Sequence, residues 1–550
     1  MTPASRAGGD DGIAALVPAP LAVPSPVRRA RRSATAAYAA QGFGFAVMLT
    51  NVPTYERYLG IGPDVITLVI LGVCVCAATG SALSGWLAAR FGSARVVTGG
   101  LLVAAAGMIA VGLSAGAGLL ATFFLAFAVY GLALGSVDAS TSMQGIDVQR
   151  AYGRSLIAAF FAANAAGGVV GSLAVSGAAA LGLALPVSLA LVAAVVAVTV
   201  LVLRAGLLSR TAAATVAGHS GEVAGHSGDA GRQVPDGAAP VAGSGRGSAV
   251  AGPGEPGAEG AGVAGGAGVG VAGGVGAGGA GGDRSRSGGA RVADVGGAVV
   301  PGARGATGMV GAGTVIVLGI AMLAFPVADS AVSSWGSTFL QGVLGASAVV
   351  GPLGFGAYQA TLICSRLLGD RAVERWGRVR VVALGGAVGV VGLGLVAISP
   401  VWPLAVLGFA ATGLGLGVVA PMAFSAAGDR AAEAVVGARG LGSAAVRGGA
   451  AGVARSEDSA AARSDSTGLP VGPAASGLPT VEDATDRAVA RLNVFTYVGA
   501  VLGGAMTGVF ATTDALRLGF GVLAALALAT VLLAGRFREA DLPPDVSERA

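Results

Sequence analysis

The chain has 550 residues, 54% of them hydrophobic and only 11% charged, with a mean hydropathy of +0.77. Soluble domains carry roughly 25% charged residues, so this composition excludes an ordinary soluble protein and points to membrane-spanning helices. All 34 basic residues are arginine, which removes the lysine of a phosphate-binding loop, of a pyridoxal Schiff base and of a bound retinal.

The net charge of +5 does not mark a nucleic-acid partner, because the arginines sit in short groups beside apolar runs, where they set topology. Cys74, Cys76 and Cys364 all lie inside apolar runs. Residues two apart on a helix do not share a face, so Cys74 and Cys76 are a poor metal pair. No metal site, no disulfide framework and no catalytic residues are expected.

Residues 1–33 are polar and Pro-rich and end in Arg28, Arg29, Arg31 and Arg32, which reads as an uncleaved, disordered cytoplasmic tail. Six apolar runs follow at about 34–55, 64–88, 95–115, 118–141, 155–178 and 183–204. Each is near the ~20 residues that cross a bilayer core. They form an N-terminal bundle, 34–204. Residues 205–312 are a Gly- and Ala-rich cytoplasmic linker containing both histidines, His219 and His226, which argues against a histidine-dependent centre. A second bundle, 313–535, holds runs at about 313–336, 346–368, 379–399, 402–427, 488–510 and 514–535. It is interrupted by a polar insertion at 429–487, expected to be disordered, and followed by a cytoplasmic tail, 536–550.

Arginine placement orients the whole. With both termini cytoplasmic, only Arg57 and Arg517 of the 34 fall on the outer side, which satisfies the positive-inside rule. Glu56 and Arg57 then read as a solvated pair, and Trp335 as an interfacial anchor.

One short basic turn occurs twice: Arg90-Phe-Gly92-Ser-Ala-Arg95-Val-Val97 and, 285 residues later, Arg375-Trp-Gly377-Arg-Val-Arg380-Val-Val382. The match runs without a gap from Arg90–Leu113 against Arg375–Ile398, with 9 identities in 24 positions, including Gly100 with Gly385 and Gly107 with Gly392. This is the same inter-helix turn in two halves of a duplicated membrane protein.

Twelve spans in two halves, a long linker after the sixth and this turn after spans two and eight resemble the major facilitator superfamily. The turn matches through Gly85, Arg90, Gly92 and Arg95, although Ala89 stands where the family has Asp. The second copy matches through Glu374, Arg375, Gly377 and Arg380, with Asp370 just upstream. Asp138 with Gln144-Gly145, Gly153-Arg154 opening span five, and Asp329 through Trp335 are similar to the fucose-permease-like, mostly uncharacterised bacterial branch. Ser142, Phe161 and Ser334 depart from it. The resemblance implies an all-α membrane protein with 12 transmembrane helices in two six-helix halves. It also implies a cytoplasmic gate built from the turn residues, leaning on the acid-bearing second copy.

An ionisable residue within a span costs ~2.5–3.5 kcal/mol on the insertion scale and is a functional candidate for that reason. Asp329 falls past the midplane of span seven toward the outside, and Asp138 near the inner end of span four. Asp329 is a proton-titrating or solute-contacting carboxylate, or a helix-packing hydrogen bonder; Asp138 is a pathway carboxylate or, by preference, a structural link to the inner basic turns. Asn164, Gln359, Tyr358, Tyr130, Gln41 and Asn51 lie near mid-depth, where a cavity between the halves is expected, or serve as interhelical contacts.

The expected function is secondary active transport of a small solute, sugar-like or exported, by alternating access. No cofactor is expected, and a proton gradient is the expected driver. The alternative is a non-transporting sensor or scaffold of the same fold. The partners implied are a small-molecule solute and the lipid bilayer, with no nucleic acid, for a monomer in a bacterial plasma membrane.

Overall fold

A computed structural model of the chain describes residues 25–152, 156–208, 312–454, 481–510 and 515–539. The tail to residue 24, Gly153 and Arg154, linker residues 209–311 with both histidines, insertion residues 455–480 and the tail from 540 lie outside the described residues.

Helices dominate, and no strand occurs among the described residues. The first half holds α1 (Ser25–Thr50), α2 (Val52–Leu59), α3 (Pro63–Phe91), α4 (Ser93–Gly116), α5 (Leu120–Tyr152), α6 (Ile157–Ala180) and α7 (Leu185–Leu203). The second holds α8 (Ala312–Met322), α9 (Ala324–Thr338), α10 (Leu353–Trp376), α11 (Arg378–Ile398), α12 (Trp402–Leu416), α13 (Val419–Ala454), α14 (Val481–Val509) and α15 (Leu516–Leu533).

The breaks inside expected spans follow from proline. A proline ring clashes with the carbonyl four residues back and donates no N–H to it. Pro326 therefore stops α8 at Met322, and Pro421 separates α12, ending at Leu416, from α13. Thr530 Oγ1 donates to the Ala321 carbonyl at 2.6 Å, satisfying an acceptor at the first break. Pro53 opens α2, and Asn51 Nδ2 covers the end of α1 by donating to the Val47 carbonyl at 2.8 Å.

Ten helical segments among the described residues are long and apolar enough to cross a membrane. α1 and α10 are not among them, because they carry Tyr38 and Gln41, and Tyr358, Gln359 and Arg366. Both pack at the meeting of the halves, against α6, rather than facing lipid on all sides.

The two halves repeat one packing scheme. α1 lies on α6 as α9 lies on α14; α4 contacts α5 and α7 as α11 contacts α12 and α15. Glycines permit the close approaches. A Cβ on Gly167 would strike the Ala39 carbonyl, and one on Gly503 the Val327 carbonyl. Between the halves, α6 meets α10 and α3 meets α14. At the arginine-poor end this contact is tight: a Cβ on Gly508 would sit 2.6 Å from Thr67, and one on Gly504 3.1 Å from Ile70.

Three boundaries differ most from expectation. α1 begins at Ser25, nine residues inside the expected tail, because Val27 is buried and Ala30 and Ala34 bury in a cluster with Tyr38, Val148, Leu156, Phe160 and Leu208. α5 continues to Tyr152, well past 141, with Gln144 and Val148 buried. α13 runs to Ala454, so helix extends into the segment expected to be disordered from 429.

Candidate functional site

The longer α5 changes the depth of Asp138, which sits mid-helix rather than near an inner end. Asp329 stands on α9, just after the break at Pro326. The two carboxylates, one from each half, line a single chamber of about 110 Å³. Its wall is otherwise mostly apolar, with Phe45, Tyr55, Ile66, Val69 and Phe127 from the first half and Ser330, Ser333, Ser334 and Ala500 from the second.

Asp138 is held from α1. Gln41 Nε2 donates to Asp138 Oδ1 at 2.7 Å, while Asp138 Oδ2 and Gln41 Oε1 are buried without a hydrogen-bond partner. Burial of an acceptor without a partner is unfavourable, and a proton, a water or a ligand at that oxygen would relieve it.

Asp329 has a charged neighbour to which the sequence reading gave no role. Arg366, on α10, acts electrostatically on Asp329 together with Tyr358. The Arg366 guanidinium also stands 5.8 Å from the Phe161 ring of the first half and 5.8 Å from the Phe325 ring. The signal was present: residue 366 lies inside the run expected to span from 346 to 368. Next to Tyr358, Gln359 packs across the halves, its Nε2 3.1 Å from where a Gly168 Cβ would stand.

Other candidates lie apart from this chamber. Asn164 Nδ2 donates to the Tyr38 carbonyl at 3.3 Å and ties α6 to α1. Tyr130 buries its hydroxyl beside Gly44. Asn51 lines a separate cavity of about 240 Å³ at the arginine-poor end, with Thr50, Thr54, Arg57 and Gln341. There Arg57 bonds not to Glu56 but to Gln341 Oε1 at 3.2 Å and Thr54 Oγ1 at 3.1 Å, bridging the halves. Burial pushes the Glu56 carboxyl up to about 7, against the opposing pull of Arg57. Trp335 is fully buried and donates to the Gly504 carbonyl at 3.1 Å, so it packs α9 on α14 rather than anchoring at an interface.

The repeated turn keeps its geometry in both copies. Gly92 (φ 88°) and Gly377 (φ 77°) adopt a conformation that L side chains rarely take, and each closes the preceding helix with a 2.8 Å bond, to Ala88 and Val373. Among the described residues, the charges expected to form a gate make no ion pair with one another. Gly85, Arg90, Arg95, Asp370, Glu374, Arg375 and Arg380 are all exposed, and Arg95 reaches only the Phe91 carbonyl at 3.4 Å. The ion pair of this turn among the described residues is Arg378 with Asp429 at 2.7 Å, residues the sequence reading assigned no role. Arg430 and Glu433 pair one helical step further, at 3.5 Å.

No family model matches the chain. It is 32% identical over 122 residues to an uncharacterized transporter of Sinorhizobium fredii, covering 22% of this chain and 32% of that protein. It is 28% identical over 135 residues to an uncharacterized MFS-type transporter of Yersinia pestis, covering 24% and 34%. Each match thus spans about a third of the relative's length.

Solved structures extend the likeness to the whole chain. A D-xylose-proton symporter aligns over 94% of this chain and 98% of its own at 14% identity and a TM-score of 0.54. The nucleoside transporter NupG aligns over 94% and 98% at 12% identity and 0.51. A bacterial homolog of the human lysosomal transporter Spinster aligns over 94% and 97% at 11% identity and 0.52. With the repeated packing of its halves and the repeated turn, the chain shares the fold of these transporters, as a multi-pass membrane protein.

Proposed function

We propose that the chain is a secondary active transporter that carries a small solute through the chamber by alternating access of the two halves. It works in a bacterial plasma membrane as a monomer, both termini cytoplasmic, with no resident cofactor, no enzymatic step and no nucleic-acid partner. A proton gradient drives it through the chamber carboxylates. The observation that carries this reading is the pairing of Asp138 and Asp329, from opposite halves, on one chamber wall. A midplane site between repeats, bordered by groups that change charge, is what coupling of proton and solute requires.

The test is uptake into proteoliposomes, with and without a pH gradient, of a solute chosen by thermal-shift screening against sugars and organic cations. Asp329→Asn leaves the Arg366 charge without its counter-charge and is expected to abolish the gradient-driven component. An undiminished gradient-driven rate in Asp329→Asn overturns the coupling role.

A further inference from the structure

We propose that the chamber takes a monovalent organic cation with an apolar body, held at Asp138 and exchanged there for a proton. This rests on the transporter reading above and adds the chemical class of the solute.

Among the described residues, the charged groups on or directly behind the chamber wall are Asp138, Asp329 and Arg366. Arg366 compensates Asp329. Asp138 has no such partner: Gln41, a neutral amide, serves one oxygen, and the other accepts no hydrogen bond. The remaining titratable neighbours are Tyr38 and Tyr55 on α1 and α2, Cys74 on α3 and Tyr358 on α10. Tyrosine and cysteine are ordinarily neutral below about pH 8. With all carboxylates ionised the chamber therefore carries one uncompensated negative charge. An unpaired buried charge is strongly unfavourable, so the site takes up one proton or one monovalent cation, and each excludes the other.

The wall selects an apolar body. Phe45, Tyr55 and Phe127 border the chamber, and aromatic faces attract desolvated cations. Two of the three chamber serines already donate within the protein: Ser330 Oγ to the Ala500 carbonyl at 2.6 Å, and Ser333 Oγ to the Ser330 carbonyl at 3.0 Å. A site built for hydroxyls would keep such groups free for them. The exchange balances as follows: the protonated Asp138 carboxyl releases H⁺ to water as the cation arrives, and the cation–carboxylate pair replaces the O–H bond.

Phenyltrimethylammonium is a suitable probe, since its charge is fixed and any pH effect on its binding belongs to the protein. Its equilibrium binding to the purified full chain is measured at about pH 5.5 and about pH 8, with a pH-indicator dye recording released protons. At least about tenfold tighter binding at the higher pH is expected, with close to one proton released per cation bound at intermediate pH. Asp138→Asn should lose both effects, and Asp138→Glu should keep the pH dependence. Wild-type binding without pH dependence or proton release overturns the exchange, whatever the variants do. In proteoliposomes, flux of D-xylose without flux or binding of the cation overturns the solute class and leaves the transporter reading standing. Proton-linked cation binding with flux of neither solute overturns the transporter reading and supports the site.

Discussion

Arg378 donates to Asp429 at 2.7 Å across 51 residues, and at positions 285 residues earlier Gln144 Nε2 donates to Ser93 Oγ, also at 2.7 Å and across 51 residues. The same interhelical contact thus occurs in both halves, as an ion pair in one and a neutral bond in the other. Gln144 is further engaged by residue 208: its Nε2 donates to the Leu208 carbonyl at 3.0 Å and its Oε1 accepts from the Leu208 N–H at 3.0 Å.

The charged copy should matter more to stability than the neutral one. The Arg378 side chain is 10% exposed and that of Asp429 29%, so water screens the pair only in part. A bond between charged groups contributes about 1.5–3 kcal/mol, and a neutral one about 0.5–1.5 kcal/mol. Asp429→Asn should therefore lower the unfolding temperature in detergent more than Ser93→Ala does. Because Glu374 and Arg90 are exposed, Glu374→Ala and Arg90→Ala should each cost less than Asp429→Asn, and equal losses in all three would remove the distinction.

Glu56 gives the arginine-poor end a pH dependence with a definite sign. Its carboxyl is raised from an ordinary 4.5 to about 7 by burial, so between those values the unfolded chain has released a proton that the folded chain keeps. Stability contributed by this group is fully present below the lower value and falls as pH rises toward the upper one. Thermal unfolding of Glu56→Gln should lack that decline. A slope identical to wild type across the window would assign the dependence to another group.

Helix contacts at glycine are testable by adding bulk. Gly167 lies where any Cβ would collide with the Ala39 carbonyl, so Gly167→Val should separate α6 from α1 and cost about 1–3 kcal/mol or more. Gly177, on the same helix, faces open space. Gly177→Ala should be neutral or stabilising by about 0.5–1 kcal/mol, through helix propensity alone. Melting temperatures of the two variants in one detergent separate the effects.

Much of the architecture was legible in the sequence because lipid imposes a length and a composition on every span, and duplication printed the basic turn twice. Breaks at Pro326 and Pro421 were equally legible in principle, since each lies inside an apolar run. The site was harder to read. Depth counted along a run assumes straight helices with known ends, and α5 overran its expected end while α8 and α9 divided what was read as one span. That is why Asp138 and Asp329 were placed at different levels although they share a chamber. Asn51 illustrates a different limit: a mid-depth polar side chain next to a proline break is already consumed by its own helix, at the Val47 carbonyl. Arg378 escaped notice because its partner Asp429 lies on a helix continuing into a segment whose composition reads as disorder.

The central claim, that the two halves exchange access to one chamber, is tested most directly by paired distance measurements between spin labels in liposomes. One pair, at Tyr58 and Ser347, spans the halves at the arginine-poor end, and the other, at Arg95 and Arg380, spans them at the arginine-rich end; Tyr58, Ser347, Arg95 and Arg380 are all exposed. Alternating access predicts two populations whose distances are anticorrelated between the ends and whose proportions shift between about pH 5.5 and about pH 8. A single distance at each end, unchanged by pH and by phenyltrimethylammonium or D-xylose, would contradict the account.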